Sequence, residues 1–187
     1  VIWATSMVAC GDADGAVTGN TRRFGASLDK IKQVVDVRDG EIMFGLNMVV
    51  HKGKTIFVGD TSVHEYPTSK QMAEMAISTA RVVRLFGFDP RVAFVSHSTF
   101  GQPLTSRTKH IRDAVDILKE KKVDFEFDGD MQPDVALNPE YEELYPFSKI
   151  VGSANILIMP GQHSAAISYK MMKTCLLYTS DAADDAL

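Results

Sequence analysis

Arg91-Val92-Ala93-Phe94-Val95-Ser96-His97-Ser98-Thr99-Phe100-Gly101 is the stretch whose reading decides the fold. The four apolar residues after Arg91 are too short a run for a helix and β-branched enough for a buried strand. Hydroxyls, one imidazole and a glycine follow at once, and a helical pattern opens near Thr105. In an open α/β sheet, ligands bind at the carboxyl end of a strand, where backbone N–H groups and a helix start converge. Ser96, Ser98 and Thr99 offer hydroxyl donors there, and Gly101 lets a backbone come close. The plainer alternative is a polar loop with a Ser/Thr helix start.

The 187-residue chain is long enough for one domain with a real core, or for part of a larger protein. Its 45% hydrophobic and 24% charged residues are ordinary globular values. No apolar run approaches the ~20 residues of a membrane span, and no signal peptide is visible. Val1 starts in mid-pattern. Cys175 to Leu187 reads as the translation of a sequencing-library adapter rather than a natural acidic tail, which leaves a domain over residues 1–174. That tail holds three Asp and no Lys or Arg, so without it the formal charge rises from −4 to −1. A near-neutral body gives no electrostatic reason to expect nucleic acid or an anionic membrane as partner. It also leaves a single cysteine, Cys10, which fits a reducing, cytoplasmic setting.

Outward from the opening strand the elements alternate. Residues 3–9 read as a helix end or a buried strand, and Ala16–Thr18 as a short strand between glycine turns. Leu28, Ile31, Val34 and Val35 recur at helical spacing behind Ser27 as N-cap. Ile42–Val50 and Lys54–Val58 form a hairpin through His51-Lys52-Gly53. Thr68 and Gln71 make a capping box for a helix that buries Met72, Met75, Ala76, Thr79, Val83 and Phe86. A second helix runs from about Thr105 to Lys121, with Ile111, Val115 and Leu118 inward and a solvated basic outer face. Val123–Phe127 reads as a strand ending in an Asp128-Gly129-Asp130 loop, Met131–Leu137 as a short helix, and Asn155–Met159 as a last buried strand before another helix. The fold class that follows is α/β: a layered, largely parallel sheet with helices on both faces and one β-hairpin.

The chemistry is narrowed by what is missing. Asp12 and Asp14 invite a calcium-loop reading, but the twelfth position would be Arg23, where a bidentate Glu is needed. The five histidines are scattered and no zinc spacing occurs, so no metal site is expected. The P-loop and the dinucleotide fingerprint are both absent. A triad from Ser98, His97 or His163 and Asp128 lacks the Gly-x-Ser-x-Gly elbow, and no catalytic residue is assigned. Four polar loops remain as ligand candidates: Thr18 to Arg22 (Thr18, Gly19, Thr21, Arg22), Asp60 to Ser62, Ser96 to Gly101 (Ser96, Ser98, Thr99, Gly101), and Asp128 to Asp130. Hydroxyls, glycines and Arg22 suit a phosphate, pyrophosphate or thioester carbonyl. They are also the turn residues that any α/β protein needs.

Six motifs occur in order: Gly11-Asp12-Ala13-Asp14-Gly15-Ala16-Val17-Thr18-Gly19, Tyr66-Pro67-Thr68, Ser96 to Gly101, Phe125 to Met131, Asp134 to Pro139 and Ala154 to Pro160. Together they resemble the phosphate acetyltransferase/butyryltransferase family, and within it the carboxy-terminal domain of bacterial multidomain NADP-dependent malic enzymes. The resemblance covers residues 1–173 and implies a two-lobed α/β fold, truncated here at both ends. It further implies a cleft for acetyl-CoA or coenzyme A and a homodimer or higher homo-oligomer. In the malic enzymes, malate oxidation with NADP and a divalent metal belongs to upstream residues, and this domain is expected to sense acetyl-CoA. In the transferases an Asp-Thr-Leu-Arg-Pro run supplies an arginine to the anionic substrate; the matching run here is Ala26-Ser27-Leu28-Asp29-Lys30. Asp29 exchanges attraction for repulsion, though an acid in the first turn behind Ser27 would also favour a helix dipole. The family's Ser-Arg and downstream Asp positions fall beyond Lys173. Three readings follow: a non-catalytic acetyl-CoA sensor, a working phosphate acetyltransferase, or a structural dimerisation module.

Overall fold

A computed structural model describes residues 1–19, 21–60 and 62–179. Asn20, Thr61 and Ser180 to Leu187 lie outside the described residues, and with them part of two candidate loops and most of the expected tail. The chain divides into two compact units, Val1–Glu41 and Ile42–Leu187.

The first unit carries α1 (Ile2–Ala9) and α2 (Phe24–Lys32). The undecided segment at 3–9 is therefore helix. It contains no glycine or proline, and Gly11, at φ +81°, turns the chain away from it. Ala16–Thr18 is exposed irregular chain rather than a strand. Ser27 is not an N-cap. Arg23 holds that position, and Ser27 sits inside α2, 4% exposed, its N–H donating to Arg23 O at 3.2 Å. The helix starts a turn early because Phe24, Leu28 and Ile31 already form a stripe at helical spacing. It closes at Lys32, so Val34 and Val35 fall in the following turn. Asp29 consequently lies past the first turn, where the helix dipole gives it little.

The second unit holds the sheet. Strands β1 (Leu46–His51) and β2 (Lys54–Gly59) pair antiparallel through Lys52 and Gly53, at φ +45° and +77°. Positive φ at both central residues matches the right-handed strand twist, so a two-residue turn closes the hairpin. β1 begins at Leu46, four residues later than the apolar pattern suggests. α3 (Ser69–Leu85) has the expected capping box: Gln71 N–H donates to Thr68 Oγ1 at 3.2 Å and Thr68 N–H to Gln71 Oε1 at 2.8 Å. Its buried stripe is the expected one except for Phe86, which follows the helix and is 57% exposed. β3 (Arg91–Val95) leads to α4 (Ser106–Lys121), which has its own capping box between Thr105 and Thr108. β4 (Glu126–Met131), α5 (Pro133–Leu137), a 3-10 turn (Pro139–Glu143), β5 (Ile156–Ile158) and α6 (Gln162–Thr179) complete the unit.

The sheet order is β1-β2-β5-β3-β4, and every pair except β1·β2 is parallel. Alternation along the strands makes two cores. Phe57, Val92, Phe94, Ile156 and Ile158 face Met72 and Met75 of α3 and Ile111 and Leu118 of α4. Val58, Ala93, Val95, Leu157 and Met131 face Ala136 of α5 and Ala165 of α6. Helices thus cover both faces, which is why these strands are apolar throughout. No helix among the described residues is long and apolar enough to cross a membrane.

β4 differs most from the sequence pattern. Asp128, Gly129 and Asp130 are not a loop: they lie inside the strand and are buried. A buried carboxylate survives when donors meet it. Asp128 Oδ1 accepts from Gly129 N–H at 2.9 Å and Oδ2 from Lys149 N–H at 2.8 Å. Asp130 Oδ1 accepts from Gly101 N–H at 3.0 Å, and Oδ2 accepts the Ser98 hydroxyl.

Candidate functional site

A cavity of about 350 Å³ opens at the carboxyl ends of β3 and β5, lined among others by Ser96, His97, Arg107, Met159, Ser164 and Ser168. A second, of about 300 Å³, adds Tyr66, Pro67 and His110. Arg107, Ile111 and Pro160 line both, so the two form one cleft. Each wall has a local cause. β3 ends at Val95, and Ser96 and His97 follow before α4 begins. Pro160-Gly161 turns β5 into α6, whose Ser164 and Ser168, one turn apart, share a face. No side chain fits at Gly161, where a Cβ would stand 2.7 Å from Glu65 O. His110 ties the starts of α3 and α4 together: its Nε2 is 2.8 Å from Pro67 O, and Ser69 Oγ donates to His110 O at 2.8 Å.

The charge of the cleft is set by Arg107. It occupies the first turn of α4, where the helix dipole already carries partial positive charge and where no acidic residue stands. A cation there is unfavourable unless an anion joins it. No carboxylate among the described residues pairs with it. Cation, helix start, hydroxyls and imidazole together suit a phosphate-bearing ligand, with apolar wall from Met159 and Ile111 beside it.

Of the second unit's residues expected to bind a ligand, Ser96 alone is on this cleft. Ser98, Thr99 and Gly101 do come together, but they are buried against β4. Ser98 meets Asp130, Thr99 Oγ1 accepts from Gln132 N–H at 3.3 Å, and Gly101 donates to Asp130. Gly101 has φ +82°, and an added Cβ would collide with the Arg112 guanidinium. Asp60 is 4% exposed and its oxygens are taken up by Gly45, Ser62, Val63 and His64 N–H at 2.8–3.0 Å, with the His64 ring at 2.5 Å. Burial alone would push its carboxyl up. The Ser62 and Gly45 N–H groups, the His64 ring and Val63 N–H outweigh that and hold it below the usual carboxylate range. Asp60 thus shapes its loop, and Asp128 anchors Lys149 from within β4. Thr18, Gly19, Thr21 and Arg22 are exposed irregular chain in the first unit. No group of three or more His, Cys, Asp or Glu that could hold a metal ion occurs among the described residues.

The model of the family described as phosphate acetyl/butaryl transferase matches residues 1–179. The chain belongs to that family. Its solved members agree in fold. A phosphotransacetylase from Streptococcus pyogenes superposes with a TM-score of 0.85 at 26% identity, over 93% of this chain and 54% of that one. The EutD phosphotransacetylase from Staphylococcus aureus gives 0.83 at 27%, over 93% and 55%. Among curated relatives, the NADP-dependent malic enzyme of Rhizobium meliloti (strain 1021) is 45% identical over 171 residues, 91% of this chain. The phosphate acetyltransferase of Bacillus subtilis (strain 168) is 32% identical over 90% of this chain. The chain spans 22% of that malic enzyme and 53% of that transferase. It is therefore a phosphotransacetylase-like domain homologous to part of the NADP-dependent malic enzymes. Within the family fold, Arg107, His110, Ser164 and Ser168 line the cleft without being among the residues that the sequence pattern points to. Only Arg107 left a sequence signal, as a cation placed against a helix dipole.

Proposed function

We propose that this chain is a non-catalytic, acetyl-CoA-sensing domain of a multidomain NADP-dependent malic enzyme. The carrying observation is the balance of likeness: 45% identity to the Rhizobium malic enzyme against 32% to the Bacillus transferase, over the same share of the chain. The cleft supports the ligand. Arg107 and the start of α4 would take a phosphate, and the apolar wall formed by Met159 and Ile111 would take the acyl-pantetheine arm. Thr18, Gly19, Thr21 and Arg22, exposed in the first unit, would suit a phosphate or pyrophosphate in their own right. NADP and a divalent metal would serve only the malate-oxidising part, and the protein would act as a homodimer or larger homo-oligomer in the cytoplasm.

A second reading, a working phosphate acetyltransferase, draws on the fold shared with two phosphotransacetylases. Calorimetric titration of acetyl-CoA into the full chain tests the first. Saturable binding without turnover of acetyl phosphate is expected; turnover promotes the second, and no binding leaves a structural module.

A further inference from the structure

Three side chains set the hydrogen-bond polarity of the cleft. Ser98 donates its only hydroxyl proton to Asp130 Oδ2, which accepts and has nothing to give back. Ser96 Oγ lies 3.1 Å from Ser98 Oγ. With the Ser98 proton committed, Ser96 must be the donor of that bond. Ser98 N–H also reaches Ser96 Oγ, at 3.4 Å. Ser96, which lines the cleft, thus has no proton left for a ligand, only a lone pair. The carboxylate that fixes this order is fully buried, and Gly101 N–H holds its other oxygen.

We propose that Ser96 is a hydrogen-bond acceptor in this cleft and selects a ligand N–H, and that Asp130 is the positioning residue that makes it so. An oxyanion meeting this oxygen would find lone pair against lone pair. Resting on the acyl-CoA reading above, the group that fits is an amide N–H of the pantetheine arm, while the phosphates go to Arg107. This reverses the part that a serine beside a phosphate cleft would ordinarily play.

Asp130→Asn inverts the order. The amide oxygen keeps Gly101 N–H, the amide NH2 donates to Ser98, Ser98 donates to Ser96, and Ser96 turns a proton to the cleft. Calorimetry on the full chain uses three probes: acetyl-CoA, the adenosine bisphosphate half of coenzyme A, which has no pantetheine amide, and inorganic phosphate. Ser96→Ala should weaken acetyl-CoA about tenfold, the loss of one neutral hydrogen bond, and leave the adenosine bisphosphate unchanged. Asp130→Asn should weaken acetyl-CoA similarly and tighten inorganic phosphate. Equal acetyl-CoA affinity for wild type and Ser96→Ala, or equal losses for both nucleotides, overturns the proposal. If the wild type binds no acetyl-CoA, the acyl-CoA reading falls, and phosphate alone decides the polarity: tighter binding by Asp130→Asn upholds it and unchanged binding refutes it. A thermal melt accompanies each variant, and if Asp130→Asn does not fold, the two nucleotides with Ser96→Ala decide.

Discussion

Gly101 N–H donates to Asp130 Oδ1 at 3.0 Å across 29 residues of sequence, and Phe100 N–H donates to Asp130 O at 2.6 Å beside it. The loop after β3 is thereby fastened to the end of β4 by backbone donors that would otherwise need solvent. The fastening keeps Ser98 and Thr99 buried against β4, while Ser96 and His97 stay on the cleft.

This arrangement requires Gly129. Its φ is +152°, and a Cβ there would stand 2.7 Å from Phe94 Cβ and 2.8 Å from Phe94 O. Backbone cannot yield as a flexible side-chain end can. Gly129→Ala should destabilise the fold by roughly 2–4 kcal/mol, combining overpacking with an unfavourable φ. Urea unfolding followed by circular dichroism measures it, and a loss below about 0.5 kcal/mol would mean that β3 and β4 separate easily.

Asp60 supplies a pH-dependent term. Its folded carboxyl is held below the ordinary 3.8, so the stability it contributes is fully present above that value and is lost as pH falls through the depressed one. Asp60→Asn turns an NH2 towards the His64 donors and should destabilise by roughly 1.5–3 kcal/mol at pH 7. Chemical unfolding at pH 7 and again at pH 3 checks both halves: the gap between wild type and variant should narrow in acid. A gap that does not change with pH would assign the effect to packing.

The fold was legible because the residues that decide it act locally. Thr68 with Gln71 and Lys52-Gly53 fix a helix start and a hairpin through a few neighbouring atoms. Ser27 misleads because a hydroxyl before an apolar stripe is only a cap if the helix begins there, and Phe24 starts it sooner. Asp128-Gly129-Asp130 misleads for a different reason. Their burial depends on Lys149, Gly101 and Ser98, donors brought by distant chain, and no periodicity announces them. Similarly, Ser164 and Ser168 become cleft residues only when α6 lies beside β3's end, a matter of sheet order rather than spacing.

Arg107 is expected to contribute most of the cleft's affinity for anions. Arg107→Ala should weaken a phosphate-bearing ligand by about one to two decades, the worth of a charge-assisted contact of roughly 1.5–3 kcal/mol. Arg107→Lys should recover part of it, since an ammonium keeps the charge but not the forked geometry. Raising salt should weaken the wild type more than the alanine variant. Calorimetric titration of acetyl-CoA reads all three, and equal affinities for wild type and Arg107→Ala would take Arg107 out of the site.

Acetyl transfer gives the sharpest division between the two functional readings. The resemblance implies an arginine on the anionic substrate of the transferases, and on that matching the run Ala26-Ser27-Leu28-Asp29-Lys30 would put a carboxylate there. Asp29 is exposed on α2 and makes no ion pair among the described residues, and the flexible ammonium of Lys30 beside it does not reproduce a forked guanidinium. Acyl-phosphate chemistry depends on positioned positive charge that stabilises the developing anion; removing one such contact costs ~10²–10³ in rate, and a negative charge in its place costs more. Formation of acetyl-CoA from acetyl phosphate and coenzyme A should therefore stay near background in the full-length protein, followed at the thioester absorbance. Asp29→Arg alone should not restore it, because one arginine does not supply the Ser-Arg and Asp positions that the resemblance also implies. Robust turnover by the unmodified protein would sink the sensing reading and make the cleft a catalytic one.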